Sequence, residues 1–559
     1  MQLDMKKSII GLVFAGLVLC NCQKNFDAKI YGVLYPENFP STQEEYEAYA
    51  SVCYVPFGST WMYYLGEGLN THPVYTYEGG VIRVFDATTD EMMPWAAKGW
   101  GSEWKRLSQA DYSSCRYYTR TGSSGDNLNH VTKLAHITRF TEIIGRLESA
   151  DKSLFQEGKR EQLLGEVYLC RAMLMYFMFH LYGPMPAILD PNQVSSESAQ
   201  QNIVRPTLDE MSQWIYDDIK KAISLLPETV SEKGRYTADY ARFCLMKHCL
   251  NEGEHMPGWY EEGLDMFDLL NNGKYDLVRT GSSTVPNPFL NVFSYYNKWN
   301  SEIIMAVSNE TNGGSKYSAG NFFPHLMAFM PADVSPVDDL GNKTPLWYTG
   351  WAQYYNVAPA FYDTYPSTDI RRDAVLDNYW VSVDSGLPTK KITASDIGVK
   401  WDGFLIMKWP FETATSYQGH DWPLARWADV LLMKAELETR ISKSAPSTDA
   451  IECVNQVRRR AGISDLTPSE TISYDAFMTA LLAERGREFL FEGMRKIDLI
   501  RFNRYATRTN AVKGFVPTHQ YMPLPDFIVE QAATYGKDLV QTYSRPGWEE
   551  DLAEAKKEH

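Results

Sequence analysis

The chain lacks most of the signatures that would give it a chemistry. Its 559 residues contain no H-E-x-x-H helix, no G-x-S-x-G elbow and no Gly-rich loop ending in Lys and Ser or Thr. Zinc hydrolysis, serine-nucleophile hydrolysis and P-loop phosphoryl transfer are therefore not indicated. The ten histidines show no ligand spacing, and beyond residue 22 the cysteines form no C-x-x-C pair. No metal, no cofactor and no redox motif is expected. Positive charge is also short: 54 Lys and Arg against 70 Asp and Glu leave a net charge of −16. An acidic surface repels a phosphate backbone, so nucleic acid is an unsuitable partner, whereas an uncharged ligand fits. Past the N-terminus no eighteen apolar residues run together, so the mature chain has no transmembrane helix. No low-complexity linker divides it.

What is present begins at the N-terminus. Lys6 and Lys7 precede an apolar run from Ile9 to Leu19. That is shorter than the ~20 residues needed to span a bilayer, and a basic start before a short apolar core is the layout of a secretory signal. The run ends in Leu19-Cys20-Asn21-Cys22 instead of small residues. This resembles the bacterial lipoprotein signal, in which the cleaved chain begins with a lipidated Cys. Cys22 is the expected acceptor, because polar residues follow it directly, and Cys20 is the rival. Residues 1–21 are read as the signal and 22–559 as one mature unit.

Hydrophobic residues make up 44% and charged residues 22%, the balance of a globular chain. Aromatics reach 13%, with 15 Trp and 35 Tyr, many in Gly- and Pro-containing stretches outside any helical period. Helical periodicity is clearest in three tracts, about 41–58, 127–251 and 423–505, while 252–420 is read as short helices mixed with long loops and strands. Ser41 or Thr42 caps the first, with Glu44 and Glu45 at its positive end. In the second, Leu128, Val131, Leu134, Ile137 and Ile143 recur at helical spacing. The stretch 159–186 is apolar almost all round, as in a central buried helix. Thr207 with Glu210 is a capping box opening a helix that stops at Pro227. A further helix runs over 234–251. In the third tract, helices are read over 423–440, 449–462 and 474–493. Strands are read within 299–311 and 401–411. Such helix pairs bury their apolar faces only by stacking. The expected fold is mainly α: stacked tetratricopeptide-like helix pairs with a few short strands. A large irregular, aromatic-rich binding region fills about 59–125 and 252–420. Cys170, Cys244 and Cys249 are read as small buried hydrophobes.

The most specific blocks are C-terminal: RWADVLLMKAELETR (426–440), ECVNQVRRRAGI (452–463), LLAERGREFLFEGMRKIDLIRF (481–502), MPLPDFIVEQ (522–531) and DLVQTYSRPGW (538–548). In this order, and with the upstream blocks TTDEMMPW (88–95) and YDTYPSTDIRRDAVL (362–376), they resemble the SusD/RagB family of outer-membrane lipoproteins. The resemblance implies a glycan-binding protein (in some members a peptide-binding one) that faces the cell exterior. It also implies a SusC-type TonB-dependent transporter as partner. The charges Glu484, Arg485, Glu488, Arg495 and Asp498 are read as holding the fold and not as touching ligand.

A sugar ring offers a C–H face that stacks on a flat aromatic, and hydroxyls that need polar partners once buried. Two segments fit. The first, 81–106, holds Arg83, Asp90, Glu91, Trp95, Trp100 and Trp104, and Trp95 lies nearest the position where the resemblance places ligand contacts. The second, 345–356, holds Trp347, Trp351, Tyr354, Tyr355 and Asn356. Residues 61–64 and 322–331 are further candidates. Each of these aromatics has a packing role as its alternative. The rival activity, glycoside hydrolysis by Asp90 with Glu91 or Asp338 with Asp339, is disfavoured because adjacent carboxylates seldom converge on one bond.

Overall fold

A computed structural model describes residues 39–58, 63–66, 69–71, 73–75, 80–93, 106–113, 130–309, 336–337, 357–381, 390–392, 404–410 and 419–557. Two units are distinguished, Met1–Tyr49 and Ala50–His559. In the first, Phe39 packs edge-on against Tyr49, and helix α1 (Gln43–Ser51) begins. Thr42 Oγ1 accepts the Glu45 N–H at 3.3 Å, while the Glu45 carboxylate accepts the Ser41 N–H at 2.7 Å. The expected cap is present.

The second unit is mostly helical. Helices α2 (Leu134–Ser149), α3 (Lys159–Tyr182), α4 (Leu208–Leu225), α5 (Ala238–Glu252) and α6 (Trp259–Leu270) pack as successive neighbours. This is the expected tetratricopeptide-like stacking. Helix α3 is buried on nearly every face, as its apolar composition requires. It approaches the end of α4 closely at Gly165, where a Cβ would lie 2.8 Å from Leu226 Cγ. The chain leaves α3 through Gly183, at φ +80. The Thr207–Glu210 capping box forms as read. Inside this stack Arg171 of α3 donates twice to Asp218 of α4, each bond 2.7 Å. Helix α6 falls in the region expected to mix short helices with loops, but it belongs to the stack itself. It buries Trp259, Tyr260, Gly263, Met266, Phe267 and Leu270, so the frame runs on past residue 251.

The C-terminal third adds α7 (Trp427–Ser442), α8 (Thr448–Arg460), α9 (Tyr474–Phe489), α10 (Arg495–Arg501), α11 (Tyr505–Lys513), α12 (Asp526–Thr534) and α13 (Trp548–Lys557). Helix α7 packs on α5 and α6, joining the two helical tracts. The pairing of α11 with α13 carries the frame beyond 505.

The reading of 423–440 as one helix needs correction. Trp422–Arg426 is a strand, paired antiparallel with Ile303–Val307. Both its faces are largely buried, and the Arg426 guanidinium is drawn inward to Glu302, Glu488 and Glu492. The helix starts only where the Trp427 N–H donates to the Glu302 carbonyl, at 2.9 Å. Among the described residues of 401–411, which are 404–410, the strand is Leu405–Ile406, paired with Val375–Leu376. Trp409 stacks on Trp422 instead, with centroids 5.1 Å apart.

Candidate functional site

The described backbone brings the two aromatic segments together at their bases. Met92 bridges to Val357, and Val357 bridges to Phe404, both antiparallel. The Val357 N–H donates to the Phe404 carbonyl at 2.9 Å, and the Val357 carbonyl accepts the Phe404 N–H at 3.0 Å. Ala358 N–H donates to the Glu91 carbonyl at 2.8 Å. In sequence, Trp95 follows Met92 by three residues, and Asn356 directly precedes Val357. Trp95, Trp100, Trp104, Trp347, Trp351, Tyr354, Tyr355 and Asn356 themselves lie outside the described residues, as do Asp338, Asp339 and Cys22. Arg83 is described. It is completely buried in the short helix Ile82–Asp86, which is no place for a surface sugar contact.

Both flanks of the segment carrying Trp95 are fixed by the C-terminal helices. Upstream, the Asp86 carboxylate accepts the backbone N–H of Gly493 at 2.6 Å and of Arg495 at 3.2 Å. Burial pushes Asp86 up to about 7, although those two N–H groups pull the other way. Asp90 takes two bonds of 2.9 Å from Arg495 and one of 3.1 Å from Arg508. Burial would raise Asp90, but the two guanidinium groups prevail and hold it at about 2. Downstream, Tyr112 bonds Tyr505 at 3.0 Å and accepts from Lys496 at 3.1 Å. Lys513 ties the two flanks: its ammonium donates to the Ala87 carbonyl at 2.7 Å and the Ser108 carbonyl at 2.6 Å. Burial pushes this amine down to about 7.

The flank of the second segment rests on a fully buried charge network. Arg371, just after Val357 in the chain, donates to Asp369, Glu484 and Glu488. Glu488 also receives Arg426 at 3.0 Å and a short bond from Arg460. Glu302 receives Arg426 and Arg460, and Glu492 receives Arg426 and Lys408. Burial opposes ionisation here too, yet Arg371 and its neighbours hold Glu484 and Glu488 at about 2. Arg485 joins Asp429 to Asp498 at 2.9 and 2.8 Å. These charges therefore hold the fold, as read. Asp90 and Glu91 also belong to the interior, so neither is placed to attack a glycosidic bond. Among the described residues no group of three or more His, Cys, Asp or Glu is placed to hold a metal.

One aromatic stretch was passed over in the sequence. Tyr295-Tyr296-Asn297-Lys298-Trp299 follows a Ser294-capped turn. Tyr296 is 65% exposed. Trp299 has φ +53, a conformation that costs a non-glycine residue and occurs disproportionately at functional positions. It helps to line a cavity of 310 Å³ with Tyr275, Lys233 and Asn300. The sequence signal here is the same as in 81–106 and 345–356, aromatics among short polar residues.

Residues 301–526 match the family model described as "SusD family", and residues 115–243 match one described as "Starch-binding associating with outer membrane". The chain belongs to the SusD/RagB family. Among curated relatives, a SusD-like protein of Formosa agariphila is 24% identical over 65% of this chain and 71% of its own length. A SusD-like protein of Bacteroides ovatus is 25% identical over 66% of this chain, which spans 64% of that relative, just under two thirds. Among solved structures, a laminarin binding SusD-like protein superposes with a TM-score of 0.65 at 18% identity, covering 90% of this chain and all of that one. Surface glycan-binding protein A of Bacteroides thetaiotaomicron, in complex with laminarihexaose, gives a TM-score of 0.65 at 16% identity over 89% of this chain and 99% of that one. At such identities the likeness is one of fold.

Proposed function

We propose that this SusD/RagB protein is a glycan-binding lipoprotein, not an enzyme, that holds an oligo- or polysaccharide on aromatic side chains from two segments. The observation that carries the reading is the Met92–Val357–Phe404 bridge, which joins two aromatic segments far apart in sequence. Trp95, Trp347 and Trp351 are the proposed stacking residues. Trp100, Tyr354, Tyr355 and Asn356 complete the surface, and Arg83 is left out because it is buried. Flat rings bury large area at little entropic cost, and the anchored flanks limit the ordering that binding must supply. The net charge of −16 suits a neutral glycan. The glycan-related names of the fold relatives support the same class.

Lipidation of Cys22 would hold the protein at the outer membrane, on its outer face, and a SusC-type TonB-dependent transporter would receive the glycan. A family model described as associating with the outer membrane supports this location. Screening the chain truncated before Cys22 against glycans and peptides tests the reading. A glycan hit weakened in Trp95→Ala, Trp347→Ala or Trp351→Ala supports it. Binding to peptides alone would move the protein to a peptide-capturing role, and release of reducing ends from a polysaccharide would make it an enzyme.

A further inference from the structure

Trp299 combines a strained backbone with a side chain that is only half buried. At φ +53 it lies in the left-handed region, where a bulky residue is an outlier and Gly or Asn is the ordinary occupant. Its surroundings impose the conformation. Asn300 Nδ2 donates to the Val292 and Asn297 carbonyls at 3.0 and 2.8 Å, and its Oδ1 accepts the Glu302 N–H at 3.0 Å. The Ser301 carbonyl accepts the Asp276 N–H at 3.0 Å. These bonds fix the turn into the strand Ile303–Val307, and none of them uses the indole. Among the described residues the indole makes no hydrogen bond and meets no other aromatic ring, while the Lys233 ammonium lies 5.3 Å from its centroid. The turn itself would be served by Gly or Asn, so the ring calls for another explanation.

The cavity that Trp299 lines supplies one. It holds 310 Å³, at the lower end of the ~300–1,000 Å³ of small-molecule sites and enough for a single sugar ring. Buried Ile304 and Met305 add apolar lining. Thr229, Ser301 and Lys233 also line it, and all three are exposed, with no side-chain hydrogen bond among the described residues. The other charges are spent on one another. Asp239 receives Lys274 and the Tyr275 hydroxyl, each at 3.0 Å, and Arg242 at 2.7 Å. Glu228 is paired with Arg242, and Arg235 with Glu166. No unpaired carboxylate among the described residues lines the cavity. Met92, Val357 and Phe404, which join the two aromatic segments, do not line it either.

We propose that this cavity is a second carbohydrate site, separate from the two-segment surface, which takes one neutral hexose ring of the same glycan. The C–H face of the sugar stacks on Trp299, and Thr229, Ser301 and Lys233 meet its hydroxyls. Lys233 is exposed, so its head is free to leave the indole for the sugar that takes its place. By itself the site holds a single ring weakly, at millimolar concentration. On a long glycan it adds to the first site through effective concentration.

The ligand class rests on the glycan reading above, and the test separates the two. The full chain is labelled with fluorotryptophan, and the fluorine signal of Trp299 is assigned by its loss in Trp299→Phe and by its displacement in Lys233→Met. Methyl β-glucoside, methyl β-galactoside and methyl α-mannoside are each titrated into the wild type and into the triple variant Trp95→Ala, Trp347→Ala and Trp351→Ala. At least one glycoside is expected to shift the Trp299 signal to saturation, and equally in both proteins. Lys233→Met keeps the stem and removes the donors, and should weaken that titration about threefold with circular dichroism unchanged. A Trp299 signal that none of the three glycosides moves overturns the proposal, whatever happens at the two-segment surface. A shift seen in the wild type but lost in the triple variant also overturns it, because the site is then not separate. A shift kept in the triple variant, with polysaccharide binding undiminished there, leaves this site standing and contradicts the two-segment reading.

Discussion

The helical stack from Leu134 to Leu270 and the one from Trp427 to Arg501 look alike in outline, but their interiors are held differently. The first closes mainly on apolar side chains, and its buried carboxylates, Glu166, Asp218, Asp239 and Glu252, sit apart, each with its own basic partners. The second buries carboxylates and guanidinium groups: Glu436, Glu484 and Glu488 with Arg458, Arg460 and Arg485, and with Arg426 of the preceding strand. An apolar interior is non-directional and tolerates sliding. A buried ionic interior is intolerant, because each charge must meet its partner or remain uncompensated in low dielectric. The difference suits the position of each stack. The charged one fixes the upstream flank of the first aromatic segment through Asp86 and Asp90 and underlies Arg371 after the second, while Lys513 of α11 ties that upstream flank to the downstream one.

The largest expected effect comes from breaking the charged interior. Glu488→Ala leaves Arg371, Arg426 and Arg460 short of a shared partner and should cost about 3–5 kcal/mol in denaturant unfolding. The same region should give way first in acid. Glu484, Glu488 and Asp90 are held at about 2 in the fold, below the ordinary carboxylate value near 4. Their stabilisation is complete above about pH 5 and is lost as the pH falls from about 4 toward 2. Unfolding midpoints measured along that range should fall for the wild type and fall less for Glu488→Ala. In the apolar stack, Leu174→Ala should cost about 2–5 kcal/mol with no added acid sensitivity, since only packing is lost. Lys513→Ala leaves the Ala87 and Ser108 carbonyls without their donor, a cost of about 1–3 kcal/mol. It should also weaken glycan binding while leaving the far-ultraviolet circular dichroism unchanged. The smallest change is Thr207→Ala, which removes one capping box for about 1 kcal/mol.

The contrast also explains what was legible in the sequence. Thr207 with Glu210, the apolar α3 and the Gly183 stop carry their reasons locally, and they read correctly. The Trp422–Arg426 strand did not, because its partner Ile303–Val307 is far away in the chain and its Arg426 answers to three distant glutamates. Helix α6 lies where short helices mix with long loops, and its place in the stack is set by packing on α5 and α7, which no local pattern announces. For the site, aromatic content marked the two segments, while nothing local announced that Met92 and Val357 meet. Arg83 shows the reverse error: a polar residue in an aromatic-rich stretch was read as exposed, and the fold buries it.

The central claim is that the two joined segments form one binding surface. Calorimetric titration of a single glycan hit into the wild type, Trp95→Ala, Trp351→Ala and the double variant tests it most directly. The account predicts that each single change weakens the same ligand by about 30-fold, roughly 2 kcal/mol, at unchanged stoichiometry, and that the double variant shows no measurable binding. Undiminished affinity in both single variants, or a loss confined to one segment, would contradict it.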